Sequence, residues 1–564
     1  MVERSLESKV VGAMPIVNRF CRRLQLEERF AGALGEVLSP RGRKVDVSHA
    51  GVLCVLVRNL VVSRLPLYRF QDWVGSHVPG QLGLTIEESQ LFQDDRVGNS
   101  LDWFFEADRA TFSTDLVIHM VKEFRLDLSQ IHNDTTSLTF SGEYLTASPE
   151  FGSPFTITLG NNKDHRGDLK QLVFSLCVAR DGAVPVQHQV WDGNTADDNI
   201  HIETWDALRA IVGHPKFIYV GDCKLASQPN LRHIVGNGGF FVTVMPATHK
   251  EYARFENWIQ ANEPPWEELI RRPDPRGRER PDQVFRGYED PLGTADGYRL
   301  NWIHSSEKAY LDKRSREAKI EKADRALNAL RRQLGKKGAK TEDQIRKHVD
   351  EILKAPDVRR WLAVDLQLIE KATYKQEGPG RPGKDTQYRR ETKHDFQLTW
   401  KARSEMIQWD SRMDGIFPLM TNTPLEVTSP KDVLEIYKFQ PYLEKRHEQL
   451  KSVLKVVPMW LKSPRRIAAF LTVMFVALVI SSLIEREIRI AMRKEGLESL
   501  PIYPEQRECQ NPTAEKVLQL FEGMRRSRLF EGGLLVQTFW DDLKPVQRKV
   551  LRLLEVSTAE YGVD

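Results

Sequence analysis

Eighteen consecutive residues without a charge, Ile467 to Ile484, set the hardest condition on this chain. A run of that length needs either a bilayer or a core wide enough to surround a helix. Its interior holds Thr472, Ser481 and Ser482, and it runs on into Glu485-Arg-Glu-Ile-Arg489. No second run of this kind is present, so a buried core helix is expected, with a membrane span as the alternative. At 564 residues the chain is long enough for several domains. The net charge is only +4 although 28% of residues are charged, so basicity is local and neither demands nor excludes a polyanionic partner. Cys21, Cys54, Cys177, Cys223 and Cys509 form no CxxC pair, which argues against a zinc ribbon or a disulfide framework and fits a reducing cytosol. The opening Met-Val-Glu-Arg has no apolar signal region.

Residues 1–125 read as helical: Leu24 to Leu34 is amphipathic, His49 to Val62 strongly apolar, and Asp115 to Phe124 apolar-periodic. Such a segment before an enzyme core suits a recognition module, with a packing or dimerisation domain as the alternative. Near residue 128 the period changes to two. Leu128 to Asp134 reads as a strand ending in an acid, Ser137 to Phe140 continues extended before a turn at Gly142, and Leu169 to Val178 reads as a buried strand. Asp181-Gly182 is a hairpin signal before Val184 to Trp191. Asn199 to Val212 reads as a helix, and Phe217 to Asp222 as a short strand that again ends in an acid. Leu225 to Ile234 reads as a helix and Gly239 to Met245 as a strand. Three hairpin strands followed by alternating helix and strand give a mixed α/β sheet over 126–246.

Residues 247–412 break that rhythm and read as a basic, partly helical insertion. Arg271 to Pro281 is loop-like, Tyr298 to His304 strand-like, and Lys308 to Leu334 a long charged helix leading into a basic stretch up to Lys340. Lys375 to Lys384 reads as a flexible loop with a Gly-Arg-Pro core around Arg381, a type of segment that can lie in an A·T-rich minor groove. The sheet resumes over 413–493 with the strand Met413 to Met420. A helix then starts at Ser429 as N-cap, Pro430 at N1 and Asp432 at N3. The last segment, 494–564, reads as two or three amphipathic helices.

Pro441 is pre-set for a first helical turn, and no breaker follows until Pro458. Glu444 and Lys451, seven apart, share a face of that helix, and Gln440 reads as its N-cap. Most Glu-x6-Lys pairs are solvated surface, and a lone Asp at a strand end is usually a turn or cap residue. Here Asp134, Asp222 and Glu444 occur together, separated by 88 (222 − 134) and 222 (444 − 222) positions. Carboxylates gathered by a fold repel unless a cation joins them, and hard divalent ions prefer such oxygen ligands. Two ions about 4 Å apart support in-line phosphoryl displacement without a covalent enzyme intermediate. Glu448, one turn beyond Glu444, is the rival third ligand, and His132 shares the Asp134 face of its strand.

These residues resemble the DDE transposases of bacterial insertion sequences, in the insertion-sequence-four-like group with the signature Tyr-x2-Arg-x3-Glu-x6-Lys. Tyr437, Gln440, Glu444 and Lys451 stand at that spacing, with Gln where the signature has Arg. Gln can hydrogen-bond a phosphate but brings no charge. Asn133 to Tyr144 resembles the first-Asp block. Lys163 to Gln171 and Asp192 to Asp197 resemble connecting blocks. Val220 to Ser227 resembles the second-Asp block, with Cys223-Lys224 where Arg-Gly is commoner, and Asp414 to Asn422 resembles the strand before the Glu helix. The likeness also takes in Leu65 to Arg69 and Leu483 to Arg489.

The resemblance implies an RNase H-like mixed-sheet catalytic core interrupted by an insertion domain, with helical N- and C-terminal regions. Asp134, Asp222 and Glu444 would be the catalytic and metal residues, holding two Mg²⁺ ions with Mn²⁺ as a substitute. Tyr437, Gln440, Lys451, Arg381 and Lys384 would contact DNA. The implied activity is metal-dependent cleavage at transposon ends and joining to target DNA, by a homodimer on double-stranded DNA in the bacterial cytoplasm, associated with the nucleoid and without a membrane. An insertion-domain Trp would stabilise a flipped base, with Trp258, Trp266, Trp302 and Trp361 as candidates. The alternatives are a DNA-binding derivative that has lost catalysis and, from the Ile467–Ile484 run, a membrane-associated protein.

Overall fold

The computed structural model describes residues 4–35, 47–144, 147–274, 277, 281–334, 341–454 and 461–563. The basic stretch at 335–340, part of the Arg271–Pro281 segment and the residues just before Pro458 therefore lie outside the described residues. The strands among the described residues are β1 (Arg4–Val10), β2 (Gln130–Phe140), β3 (Lys170–Ala179), β4 (Pro185–Trp191), β5 (Ile218–Val220), β6 (Phe240–Val244), β7 (Glu267–Arg272), β8 (Gln283–Glu289), β9 (Arg299–Ser305), β10 (Leu362–Gln376), β11 (Tyr388–Ala402), β12 (Ile416–Thr421), β13 (Arg525–Glu531) and β14 (Leu534–Trp540). By contacts the chain forms two compact units, Met1–Thr243 with Glu435–Asp564, and Val244–Leu434. Residues 413–434 thus group with the insertion, and the two terminal regions group with the first part of the sheet.

In the first unit β2, β3 and β4 form an antiparallel meander, and β5 and β6 add in parallel beside β2, in the order β4-β3-β2-β5-β6. The Asp181-Gly182 turn forms as expected. Gly182 sits at φ +77°, and a Cβ there would meet the Arg486 side chain at 3.0 Å, so the turn needs glycine twice over. Asp134 does not end its strand. Pairing with β3 carries β2 on to Phe140, with Asp134 opposite Leu176 in its middle.

The uncharged run lies inside the helix Pro464–Lys494, which starts at the N-cap Ser463 with Pro464 in its first turn. It is the one helix among the described residues long and apolar enough to cross a membrane, and its apolar window is entirely buried within the protein. Ser481 Oγ donates to the Ala477 carbonyl (2.9 Å) and Ser482 Oγ to that of Leu478 (2.7 Å), so neither hydroxyl is buried unmet. The helix packs on His49–Val62, the other strongly apolar helix, and on Asp94–Glu106.

The terminal regions are not purely helical. β1 pairs along its whole length with β13, and β14 completes a three-stranded sheet. Gly532 (φ +55°) and Gly533 (φ +82°) make the hairpin turn between β13 and β14. Two helices, Ala514–Gln519 and Pro545–Leu553, flank the hairpin.

The second unit has an antiparallel sheet, β12-β9-β8-β7, and a long helix, Ser306–Arg331. Its largest departure from expectation is the β10–β11 hairpin, fifteen residues on each side and paired throughout. Lys375 belongs to β10, and Arg381 and Lys384 are exposed in the connecting tip. The base of the hairpin joins a core through Leu362 and Leu398, which pack with Leu327 and Leu330 of the long helix.

Candidate functional site

Parallel pairing puts the strands of the two aspartates side by side. Ile131 pairs with Tyr219 and His132 with Val220, where β5 ends; Asp222 follows two residues past that end, and Asp134 two residues after His132 within β2. Adjacent strands lie about 4.8 Å apart, and residues in step point to one face. Asp222 is fixed by its own turn: its Oδ1 accepts from the Lys224 N–H (2.9 Å) and its carbonyl from Thr243 Oγ1 (2.6 Å).

The helix bearing Glu444 is Gln440–Glu448, continued by a wider π-helical turn over Gln449–Val453. Its N-cap is Phe439, so Gln440 is the first helical residue and not the cap, and Pro441 follows it. Leu443, His447 and Leu450 are buried at i, i+4, i+7 spacing, which fixes the inner face of the helix and leaves Glu444 exposed beside it. Arg446 anchors the helix. It is buried, donates to the carbonyls of Ala183 and Gly182 (both 2.9 Å), and pairs with Glu485 of the long apolar helix at 2.8 Å.

Three acids converge electrostatically on one phenol. Burial, together with the charges of Asp222, Glu444 and Asp134, pushes the Tyr437 hydroxyl up to about 12. Burial raises the carboxyl of Asp134 above its ordinary range against the opposing pull of Lys163, and burial raises that of Asp222 too, with the Asp134 charge adding to it. Among the described residues, however, no group of three or more His, Cys, Asp and Glu side chains stands close enough to hold a metal ion. The aspartate pair is assembled, but the three-acid ligand cluster expected from the sequence is not.

A cation is already present at the pair. Lys163 Nζ lies 3.2 Å from Asp134 Oδ1 and 3.4 Å from Asp197 Oδ2, and it donates to the Thr135 carbonyl (2.8 Å). Burial opposes its charge, but Asp134 and Asp197 hold its pKa above the ordinary lysine value. His447 Nδ1 approaches Asp134 Oδ2 at 3.8 Å. Burial, aided by Lys163 and Lys451, drives His447 down to about 3, so it faces Asp134 as a neutral imidazole. Lys163, Asp197 and His447 were not singled out as site residues, although Lys163 and Asp197 lie in the two connecting blocks quoted above.

The remaining candidates divide. Lys451 binds Asp164 through both carboxylate oxygens (2.7 and 2.9 Å). The Gln440 Oε1 is buried without a hydrogen-bond partner. Glu448 lines a cavity of about 950 Å³ with Asp181, Arg446 and Arg486, and none of Asp134, Asp222 and Glu444 lines it. His132 is buried and kept neutral, its pKa lowered to about 3 chiefly by burial, with its ring centroid 4.9 Å from that of Phe439. Arg381 and Lys384 belong to the other unit. There Trp302 is buried against Phe255 (3.8 Å between centroids) and Trp361 is buried with Nε1 donating to Asp410 (2.6 Å), while Trp258 and Trp266 are half-buried.

Asp134 and Asp222 offer oxygen ligands of the kind a hard divalent cation prefers, but no third ligand is grouped with them among the described residues, so these residues do not by themselves make a metal site. No family model matches the chain, and no curated protein does. Among solved structures, a piggyBac transposase synaptic complex with hairpin DNA is similar at 11% identity and a TM-score of 0.28, over 51% of this chain and 60% of that one. A Mos1 transposase paired-end complex with the left transposon end is similar at 11% identity and a TM-score of 0.14, over 44% of this chain and 90% of that one. At those scores the likeness assigns neither a fold nor a function.

Proposed function

We propose that the chain is a DNA transposase of the insertion-sequence DDE kind, cutting element ends and joining them to target DNA. The observation that carries this reading is the placing of Asp134 in β2 and of Asp222 just past the end of the adjacent parallel strand β5, with Lys163 seated at Asp134. The order β4-β3-β2-β5-β6, three antiparallel strands and then two parallel ones, supports an RNase H-like core, with the Val244–Leu434 unit as its insertion.

In this reading Asp134, Asp222 and Glu444 would hold two Mg²⁺ ions, with Mn²⁺ as a substitute, and the ions would supply Lewis acidity for phosphoryl transfer. Tyr437 remains protonated at any working pH and can donate its O–H to a phosphate oxygen. His447 packs against Asp134 without adding charge. Lys451 would reach the DNA backbone by exchanging Asp164 for phosphate, Arg381 and Lys384 would add contacts from the exposed tip of the β10–β11 hairpin, and Gln440, whose amide oxygen is buried, would have to turn outward to take part. Joining is a transesterification: the freed 3′-hydroxyl oxygen bonds to a target phosphorus while the original P–O bond breaks and its oxygen leaves with the proton. Two ends cut together call for a homodimer, working in the cytoplasm at the nucleoid.

The experiment is cleavage, with Mg²⁺, of DNA carrying the inverted repeats that bracket the coding sequence. Asp134→Asn, Asp222→Asn and Glu444→Gln should each reduce cleavage to background while end binding persists; undiminished cutting by all three would sink the proposal. The lack of a three-ligand cluster among the described residues and the Gln at 440 favour a second reading, an end-binding derivative without catalysis. Repeat-specific binding by the unaltered protein, with no cutting in Mg²⁺ or Mn²⁺, selects it.

A further inference from the structure

The sheet built from the two ends of the chain has unequal edges. In the order β1-β13-β14, neither β1 nor β14 has a second strand beside it among the described residues. β1 carries Arg4, Glu7 and Lys9, charges of the kind that keep a free edge from pairing. β14, Leu-Leu-Val-Gln-Thr-Phe-Trp, has no charge and no proline. One bulge interrupts it: Leu529 pairs with Gln537 and Phe530 with Leu535, which leaves out Val536, and from Gln537 to Trp540 the pairing is regular. The sheet is also apolar where it meets water. Leu534 is 76% exposed, Val536 55%, Leu535 51% and Phe539 42%, all on β14, and Leu6 of β1 is 64% exposed. Exposed apolar surface gathered in this way marks an interaction site.

We propose that β14 is the dimerisation edge of this protein: two copies pair β14 with β14, antiparallel about a two-fold axis, into one six-stranded sheet with β1 at each outer edge. Charge selects this occupant. A two-fold pairing centred on the middle of the strand sets Gln537 against its own copy, and two amides can each donate and accept. It lays the Asp541–Asp542 end of one strand beside the Gly532–Gly533 turn of the other, so no like charges meet. The same operation on β1 would set Glu7 against Glu7. Assembly therefore closes at two copies. The four exposed side chains of β14 offer on the order of 300 Å² of apolar surface. The smallest standard interfaces bury about 600 Å² per partner, so the paired backbone has to supply the rest and the dimer is a weak one. The inference deepens the homodimer of the transposase reading and rests on that reading for its purpose.

The test is sedimentation velocity on the full chain without DNA, over concentrations reaching well above the micromolar. The unaltered protein should pass from monomer to dimer. Leu534→Lys and Val536→Lys put an ammonium on the free edge of each copy and should each weaken the dimer about tenfold or more. Their melting temperatures should not change, because both sites are exposed. Leu6→Lys, equally exposed but on the far edge, should leave assembly as it was. Gln537→Cys should form a disulfide-linked dimer in diamide, because directly opposed residues of antiparallel strands lie about 5 Å apart; Leu6→Cys and the unaltered protein should not. A protein that stays monomeric at every concentration overturns the proposal. So does a dimer that the β14 variants leave intact, or one that Leu6→Lys weakens as much, which would mean that the sheets meet face to face. None of these outcomes touches cleavage, so the transposase reading stands or falls by its own assay.

Discussion

Four histidines are buried and kept neutral: His132, His188 and His447 at about 3 and His201 at about 4, in each case chiefly through burial. Their ordinary value is 6.5. Below that value the unfolded chain takes up protons that the folded chain refuses, so stability falls as the pH drops from about 6.5 towards 4. His188 shows the cause: its ring stacks on Phe475 of the long apolar helix at 4.3 Å, and its Nδ1 has no partner. His188→Phe should flatten the stability curve between pH 6.5 and 4, by up to about 1.4 kcal/mol per pH unit; chemical denaturation at three pH values measures it. Asp134 carries the opposite sign. Its carboxyl is raised by burial, so the folded state holds a proton that the unfolded state gives up, and stability is lost as the pH rises through that range. Asp134→Asn should therefore raise the melting temperature at pH 7.5, with the gain fading in acid, even as it removes the proposed activity.

Individual elements differ in how far the sequence alone reveals them. β2 to β6 were legible because apolar alternation and the Asp-Gly turn act locally, and the helix Pro464–Lys494 because nothing but a core or a bilayer accepts eighteen uncharged residues. β10 and β11 were hidden: their apolar alternation, Leu362, Val364 and Leu366 against Leu398 and Trp400, is confined to the base of a hairpin whose outer half is polar and exposed. The extended reading of Ser137 to Phe140 is part of β2, but its continuity through Asp134 depended on β3, a partner thirty or more residues away, and the placing of β5 beside β2 depended on parallel pairing that no local pattern encodes. The placement of the Glu444 helix hangs on Arg446. Arg446→Met removes the nearest partner of the buried Glu485, which keeps Arg489 at 3.6 Å and the Ala514 N–H, and should cost about 1.5–3 kcal/mol. Combining it with Glu485→Leu should recover much of that loss in a thermal melt while leaving the helix without its two carbonyl anchors.

For the molecule as a whole, the two ends of the chain depend on each other. β1 has β13 as its strand partner, and Tyr561, buried, donates its hydroxyl to the Gly12 carbonyl at 2.8 Å. A chain ending at Pro512 should lose that sheet and melt at a lower temperature, and its first ten residues should become the earliest site of limited proteolysis. The Val244–Leu434 unit is continuous and has a core of its own, whereas the first unit is assembled from two distant stretches.

That discontinuity imposes an order in time. Asp134 and Asp222 leave the ribosome early, and the Glu444 helix follows 222 residues (444 − 222) after the second aspartate. At synthesis rates of about 5–20 residues per second the interval is roughly 10–45 s. Throughout it a nascent chain has the residues of β2, β3 and β5, and Lys163 to pair with Asp134, but not the Glu444 helix. A chain cut short in that interval would also lack Arg446, whose two bonds to the Gly182 and Ala183 carbonyls close over the β3–β4 turn.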